Sequence, residues 1–202
     1  MTKVNPKELD QSTNYGLLSA SVVPRPIAFV TTLNTDGSVN AAPFSFFTVL
    51  TPNPPLVVVS VLRDNGLVKD TAKNILNNKE FVIHLVDEDL LEQMNIAAAR
   101  LKYGESEVEL AKLTEVESTK IKTPAIAEAK IRFEVKLKQH IELGDKGNIT
   151  ADMFIGEVLL YQFDKSVYDN GCIFLDKFKA VGRLAGPEYI KLTDIINIER
   201  PT

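Results

Sequence analysis

The sequence predicts a mainly β fold with helices packed at its periphery. Three observations predict it. Ile27–Leu33 and Leu56–Leu62 are rich in β-branched and aromatic residues, as strands are. Ala129–Ile141 alternates Ile131, Phe133, Val135 and Leu137 with Lys130, Arg132, Glu134, Lys136 and Lys138, the period of a strand with one wet face. Helical spacing falls between such segments, as at Val68, Ala72, Ile75 and Leu76.

The chain is organised around Val23–Pro55, VPRPIAFVTTLNTDGSVNAAPFSFFTVLTPNPP. Pro24 and Pro26 fix φ and push the residues before them into extended backbone. Ile27–Leu33 reads as a strand and Asn34-Thr35-Asp36-Gly37 as a turn, with Gly37 free to take positive φ. Ser38–Ala42 reads as a second strand, which Pro43 ends by removing a ladder donor. Its small side chains suit a backbone that something approaches closely. Phe44, Ser45, Phe46, Phe47 and Thr48 follow as a stiff exit. Aromatics among hydroxyls, an amide and free backbone groups suit a flat, partly polar ligand. They equally suit a hairpin whose aromatics fill a core.

Leu56–Leu62 reads as a fully buried strand. Ser60 within it either bonds a neighbouring backbone group or turns its hydroxyl to a ligand. Arg63 closes the strand before the turn Asp64-Asn65-Gly66. Lys69-Asp70-Thr71 opens a helix, with Asp70 or Thr71 as N-cap. A helix start offers amide donors and a positive dipole end to phosphate. Lys69 adds to that field and Asp70 opposes it. The segment is therefore either a phosphate site or a plain capped helix with a solvent lysine.

Glu80–Val86 is a strand that holds His84 as a packed, hydrogen-bonded residue. Asp87–Arg100 reads as a helix whose solvated first turn, Asp87-Glu88-Asp89, complements the dipole. Residues 101–128 are the least regular: a loop at Tyr103-Gly104-Glu105-Ser106, a short helix at Glu107–Lys112, and extended chain at Lys122-Thr123-Pro124. Ile149–Phe163 returns as partner of the 129–141 strand. Near the start, Ser12-Thr13-Asn14 opens a turn before Tyr15–Val22 joins the sheet. Near the end, FKAVGRLAGPEY sets Arg183 among glycines, either as a closing turn or as a ligand contact.

At 202 residues and 45% apolar content, one domain over 1–202 with a real core is expected. A net charge of −4, with lysines scattered among glutamates, argues against a nucleic-acid surface. MTKVNPKELDQ lacks the apolar stretch of a signal peptide, and the longest apolar run is too short to span a bilayer. A soluble cytoplasmic protein is expected. No G-x-G-x-x-G, P-loop, G-x-S-x-G or H-E-x-x-H pattern occurs. Two histidines and the lone Cys172 give neither a zinc set nor an internal disulfide. No metal and no catalytic side chain are expected.

PRPIAFVTT, NAAPFSFF, PPLVVVSV and KDTAKNI, in that order over about residues 20–85, resemble the flavin reductase-like group of FMN-binding split β-barrels, of which flavoredoxin is a member. The resemblance implies a split β-barrel of mostly antiparallel strands that binds FMN as a homodimer. By that resemblance Thr31, Thr32, Asn40, Ala41, Ala42 and Ser45, with Pro43 and Phe46 beside them, line the isoalloxazine and ribityl, largely through backbone groups. Ser60, Arg63, Lys69 and Thr71, with Asp70, hold the phosphate, and Arg183 stands near the cofactor. The implied reaction is reduction of flavin by NAD(P)H, with electrons passed onward and no side chain needed as general acid. Related reductases often carry a histidine after Gly144-Asp145; Lys146 stands there, which weakens the case for standard NAD(P)H handling. Leu101–Glu128 is expected to gate the flavin. Two alternatives stand beside the reductase: an FMN electron carrier serving a protein partner, and a cofactor-free barrel used for protein interaction.

Overall fold

The computed structural model describes residues 1–99, 101, 106–145 and 147–201. The helix end expected at Arg100, the loop at Tyr103–Glu105 and the departure at Lys146 lie outside the described residues.

The first α-helix, α1 (Gln11–Ser21), is capped by Asp10, whose Oδ1 accepts the Thr13 amide at 2.6 Å. Tyr15–Val22 is therefore helix and turn rather than a strand of the sheet. The expected hairpin follows as β1 (Ala28–Leu33) and β2 (Val39–Phe44). Pro43 does not end it. The Asn34 amide bonds Ser38 O at 2.8 Å, so by alternation the ladder bonds pass through Asn40, Ala42 and Phe44. Pro43, opposite Phe29, faces the open edge, where its missing N–H removes no ladder bond.

The exit read after Pro43 is itself a strand, β3 (Phe47–Pro52), paired with β4 (Pro55–Leu62). β4 is half-buried rather than fully buried: Val57, Val59 and Val61 face the core, while Val58, Ser60 and Leu62 are partly exposed. α2 (Asp70–Asn78) lays Ala72 and Ile75 on that core. Lys69 takes its N-cap position, so Asp70 and Thr71 lie in the first turn and neither caps. β5 (Glu80–Leu85) leads to α3 (Leu91–Ile96), shorter than the helix expected over 87–100. Asp87 is the reason. It is buried, accepts the Leu90 amide at 3.0 Å and pairs with Lys130 at 2.7 Å, so it forms a buried ion pair and not a solvated helix start.

α4 (Glu107–Leu110), β6 (Glu115–Val116) and β7 (Ala125–Ile126) precede the long hairpin of β8 (Ile131–Asp145) and β9 (Asn148–Phe163). The outer face of β8 is not uniformly wet. Glu134 is fully buried and accepts the amides of Thr119 (2.7 Å) and Lys120 (2.5 Å) and the Gln162 side chain (2.7 Å). Opposite, a Cβ on Gly156 would collide with Val135 Cγ1 and come within 2.9 Å of Phe81 Cζ. The chain then makes β10 (Tyr168–Asp169), β11 (Cys172–Ile173), α5 (Leu175–Phe178), β12 (Val181–Arg183) and β13 (Tyr189–Lys191).

Among the described residues the main sheet has seven antiparallel strands in the order β2-β1-β5-β8-β9-β4-β3. β2 and β3 hold opposite edges, yet only Ser45 and Phe46 separate them in the chain. Strands lie about 4.8 Å apart, so a flat sheet of this order would be roughly 29 Å wide. The link reaches only about 10 Å. The sheet must curl until its edges meet, with no ladder across the seam. The fold is a split β-barrel, mainly β as the sequence predicts. Its interior holds Phe47, Val59, Phe81 and Phe154. A second core, with Phe29, Leu90, Met94, Val108 and Ile126, lies under α3 and α4. Burying each such side chain contributes about 1.5–3 kcal/mol.

His84 links the layers. Its Nδ1 lies 2.8 Å from Phe29 O and its Nε2 2.9 Å from the Ile126 amide, so the neutral ring donates at one nitrogen and accepts at the other. Burial, reinforced by the charge of Arg132, lowers its pKa from 6.5 to about 4. The unfolded chain takes up this proton near pH 6.5 and the folded chain only near pH 4. The stabilisation is thus intact above pH 6.5 and is lost as pH falls to about 4, an effect of about 3 kcal/mol. His84→Gln keeps a donor and an acceptor but does not titrate. Thermal melts across this window should slope less steeply for the variant; equal slopes would contradict the assignment.

Candidate functional site

A cleft of about 140 Å³ opens where the barrel edges meet, lined by the β2–β3 link, β4, Lys69 and Tyr15 of α1. Of the residues named by resemblance, the structure brings Pro43, Ser45, Phe46, Ser60 and Lys69 together here, and it adds Tyr15, Phe44 and Leu62. The link is pinned by the Ser60 amide, which donates to Phe46 O at 2.8 Å. The Tyr15 and Phe46 rings lie 6.2 Å apart, and Lys69 Nζ sits 5.8 Å from the centre of the Phe44 ring.

The start of α2 borders this cleft through Lys69. Among the described residues no side chain caps the helix. Asp70 is turned outward, bonded to Lys73 Nζ at 2.8 Å, so its charge is partly offset by a neighbour. Thr71 is held from inside. Asn40 Nδ2 donates to Thr71 Oγ1 (3.0 Å) and Thr32 Oγ1 (3.1 Å), and Asn74 Nδ2 donates to Thr32 Oγ1 (3.1 Å) and Asn34 Oδ1 (2.6 Å). Thr32, Asn40 and Thr71 thus form a buried polar lock that sets α2 against the hairpin.

The remaining predicted residues stand apart from the cleft lining. Thr31 Oγ1 donates to Pro124 O at 2.7 Å. Ala42 lies within β2, and the outward amide of Ala41 donates to Glu107 at 3.4 Å. Partial burial raises the pKa of Glu107. Arg63 donates to both carboxylate oxygens of Asp152 at 2.8 Å and to Glu142 at 2.6 Å. His140 Nε2 approaches the same Asp152 at 2.9 Å and its ring stacks on Phe154. The Arg63 bonds hold the Asp152 carboxyl below its usual range, and the Asp152 bonds push the Arg63 pKa up. Arg183 donates to Gly186 O at 2.5 Å, with its guanidinium 4.4 Å from the Tyr189 ring centre.

Part of the segment expected to gate the flavin is anchored to the sheet. Glu80 accepts the amides of Lys122 (2.7 Å) and Thr123 (2.9 Å), alongside the Glu134, Thr31 and His84 bonds to the same stretch.

Sequence pattern does not single out Tyr15, since Tyr15–Val22 reads as sheet, or Glu107, one glutamate among many. It also passes over Arg25, whose Nε donates to Ser45 Oγ at 3.3 Å. Arg25 had a signal: a lone charge in the otherwise apolar and proline-fixed run SVVPRPIAFV. A larger groove of about 330 Å³, lined by Val49, Leu50, Phe133, Val158 and Tyr161 among others, is mostly apolar and offers few groups to orient a polar ligand. Among the described residues no cluster of histidine, cysteine and acidic side chains could hold a metal ion, and no helix is long and apolar enough to cross a membrane.

Residues 20–182 match the model of the flavin reductase like domain. The chain belongs to the flavin reductase-like family, and its domain and neighbours support a flavin-related oxidoreductase. The YwrF protein of Bacillus subtilis is 47% identical over 198 residues, spanning 96% of this chain and 97% of that protein. Nitrilotriacetate monooxygenase component B from Bacillus cereus is 41% identical, with a TM-score of 0.95 over 98% of each chain. The Pseudomonas fluorescens 2-nitrobenzoate 2-nitroreductase NbaA is 35% identical, with a TM-score of 0.90 over 100% of this chain and 97% of that one.

Proposed function

We propose that this protein is a cytoplasmic FMN-binding oxidoreductase, a single domain over residues 1–202, that draws electrons from NADH or NADPH and passes them to flavin or to a downstream acceptor. The seam cleft is the observation that carries this reading. Ser45 and Ser60 bring hydroxyls to its wall, Lys69 a positive charge, and Tyr15, Phe44 and Phe46 aromatic surface. The first turn of α2 beside Lys69 offers amides and a positive dipole end. Hydroxyls, an ammonium, a helix start and rings in one cleft fit a flavin mononucleotide. In this reading Lys69, Ser60 and the amides at Asp70 and Thr71 hold the phosphate. Pro43, Ser45 and Phe46 face the ring, and Ala41 and Ala42 lie in the strand that leads into them. Thr31, Thr32 and Asn40 act from behind by fixing the hairpin and α2, Arg63 by fixing the end of β4, and Arg183 by closing the chain on Arg25. FMN held there would supply the redox chemistry of hydride and electron transfer, which no side chain of the cleft provides. The likeness to a monooxygenase component B supports delivery of those electrons to a separate component.

The family carries a flavin, and no dinucleotide fingerprint accompanies the compact anion site, so FMN is preferred over FAD. Apoprotein titrated with each should bind FMN more tightly; equal or tighter FAD binding counts against the reading. Lys69→Ala removes a charge-assisted bond of roughly 1.5–3 kcal/mol. It should weaken FMN binding about ten- to a hundredfold without unfolding the chain. An unchanged dissociation constant places the phosphate elsewhere.

The cleft, at about 140 Å³, is smaller than the roughly 300–1,000 Å³ of a complete cofactor site, so one copy covers only part of a flavin. Leu18 on α1 and Val49 on the β3–β4 hairpin are exposed, at 62% and 74%. Both facts support a homodimer with the flavin at its interface. Sedimentation at micromolar concentration should show the dimer; a monomer that retains FMN would contradict it.

Anaerobic stopped-flow mixing with NADH and NADPH should bleach the bound flavin. If neither nucleotide reduces it faster than free FMN, the reductase reading fails. Lys146, where relatives often carry histidine, then favours the second reading, an FMN electron carrier reduced by a protein partner.

A further inference from the structure

Arg25 is buried, at 7% exposure, between two prolines. Its Nη1 donates to Ser19 O and, at 2.7 Å, to Val22 O, both at the end of α1. Its Nη2 donates to Leu184 O at 2.7 Å, just past β12, and its Nε to Ser45 Oγ at 3.3 Å. Its backbone bonds Arg183 in both directions, at 3.0 and 2.8 Å. A cation suits the carbonyl end of a helix. Only a planar fork reaches acceptors spread this way; an ammonium on a flexible stem cannot satisfy them all. The hydrogen-bond acceptors of the guanidinium among the described residues are neutral. Among the described residues no carboxylate bonds to it, and its Cζ lies 5.9 Å from the centre of the Phe46 ring.

α1 carries Tyr15 and the β2–β3 link carries Ser45 and Phe46, the two walls of the seam cleft. Arg25 is bonded to both elements. We propose that Arg25 is the positioning residue of this cleft: it sets Tyr15 against Ser45 and Phe46, and its buried charge behind the wall favours a flavin that carries phosphate over neutral riboflavin. The selectivity rests on reading the cleft as the flavin site; the positioning does not.

The chain contains no tryptophan, so Tyr15→Trp gives a single emission reporter at the cleft. In that background and without flavin, Arg25→Lys should shift the emission to the red. Lys130→Gln, which breaks the Lys130–Asp87 pair outside the cleft lining, should lower the melting temperature and leave the emission in place. Arg25→Lys should weaken FMN and riboflavin alike, by about tenfold, the scale of one charge-assisted bond. Arg25→Met should in addition lower the preference for FMN over riboflavin. Emission and dissociation constants equal to those of the parent would overturn the proposal. If the Arg25 variants do not fold, Ser45→Ala cuts the one bond between the guanidinium and the link, and unmoved emission there overturns it equally. If the parent binds no flavin while Arg25→Lys still shifts the emission, the proposed function fails, the positioning role stands and the selectivity is withdrawn.

Discussion

The two-residue link between β2 and β3 is the constraint on which the structure depends. It joins strands at opposite edges of the sheet, so the sheet has to curl. Curling brings two unpaired edges together without a ladder, and an unladdered seam is where a cleft can open. The same link supplies the cleft wall. Ser45 lies between the two ladders and Phe46 O takes the last bond from β4, which leaves the Ser45 hydroxyl to Arg25 and the Phe46 ring to the cleft wall. Barrel closure and site formation are thus one event.

Around that seam the fold places ionisable groups inside and gives each a partner. Glu134 receives donors from Thr119, Lys120 and Gln162, Asp87 pairs with Lys130, and Asp152 is shared by Arg63 and His140. An unpaired buried charge would cost several kcal/mol, so these groups specify where each connection must lie as much as they stabilise it. The anchored stretch at 118–126 shows the effect. Its backbone donors go to side chains of β5 and β8, and a connection held at that many points behaves as part of the sheet. The cleft itself is bordered differently, by hydroxyls, aromatic rings and one lysine, with its fixed charge supplied from behind by Arg25.

Alternation, turn chemistry and the order of the segments were determined by the sequence alone. They identify the β1–β2 hairpin, β4, α2, β5 and the β8–β9 pair, and the family resemblance adds the barrel. Local pattern is sufficient there because each element must present one apolar face, and that face is written in consecutive residues. The cleft was less legible: Pro43, Ser45 and Phe46 are contiguous, but Ser60 and Lys69 lie within a strand and at a helix start, and only the family resemblance points to the five as one group.

Tertiary structure decided the rest, and in each case the deciding partner is distant in sequence. Pro43 stays in the ladder because β2 is an edge strand, a property of sheet order. Glu134 and Asp87 are buried because donors arrive from residues 119–120 and from Lys130. Thr32 and Asn40 find their side-chain partners in Asn74 and Thr71, 42 and 31 residues further along the chain. Arg25 gathers acceptors from α1, from the β2–β3 link and from Leu184, 159 residues away. A sequence states which groups need a partner; only the folded chain, by bringing remote segments within hydrogen-bond reach, determines which partner each one finds.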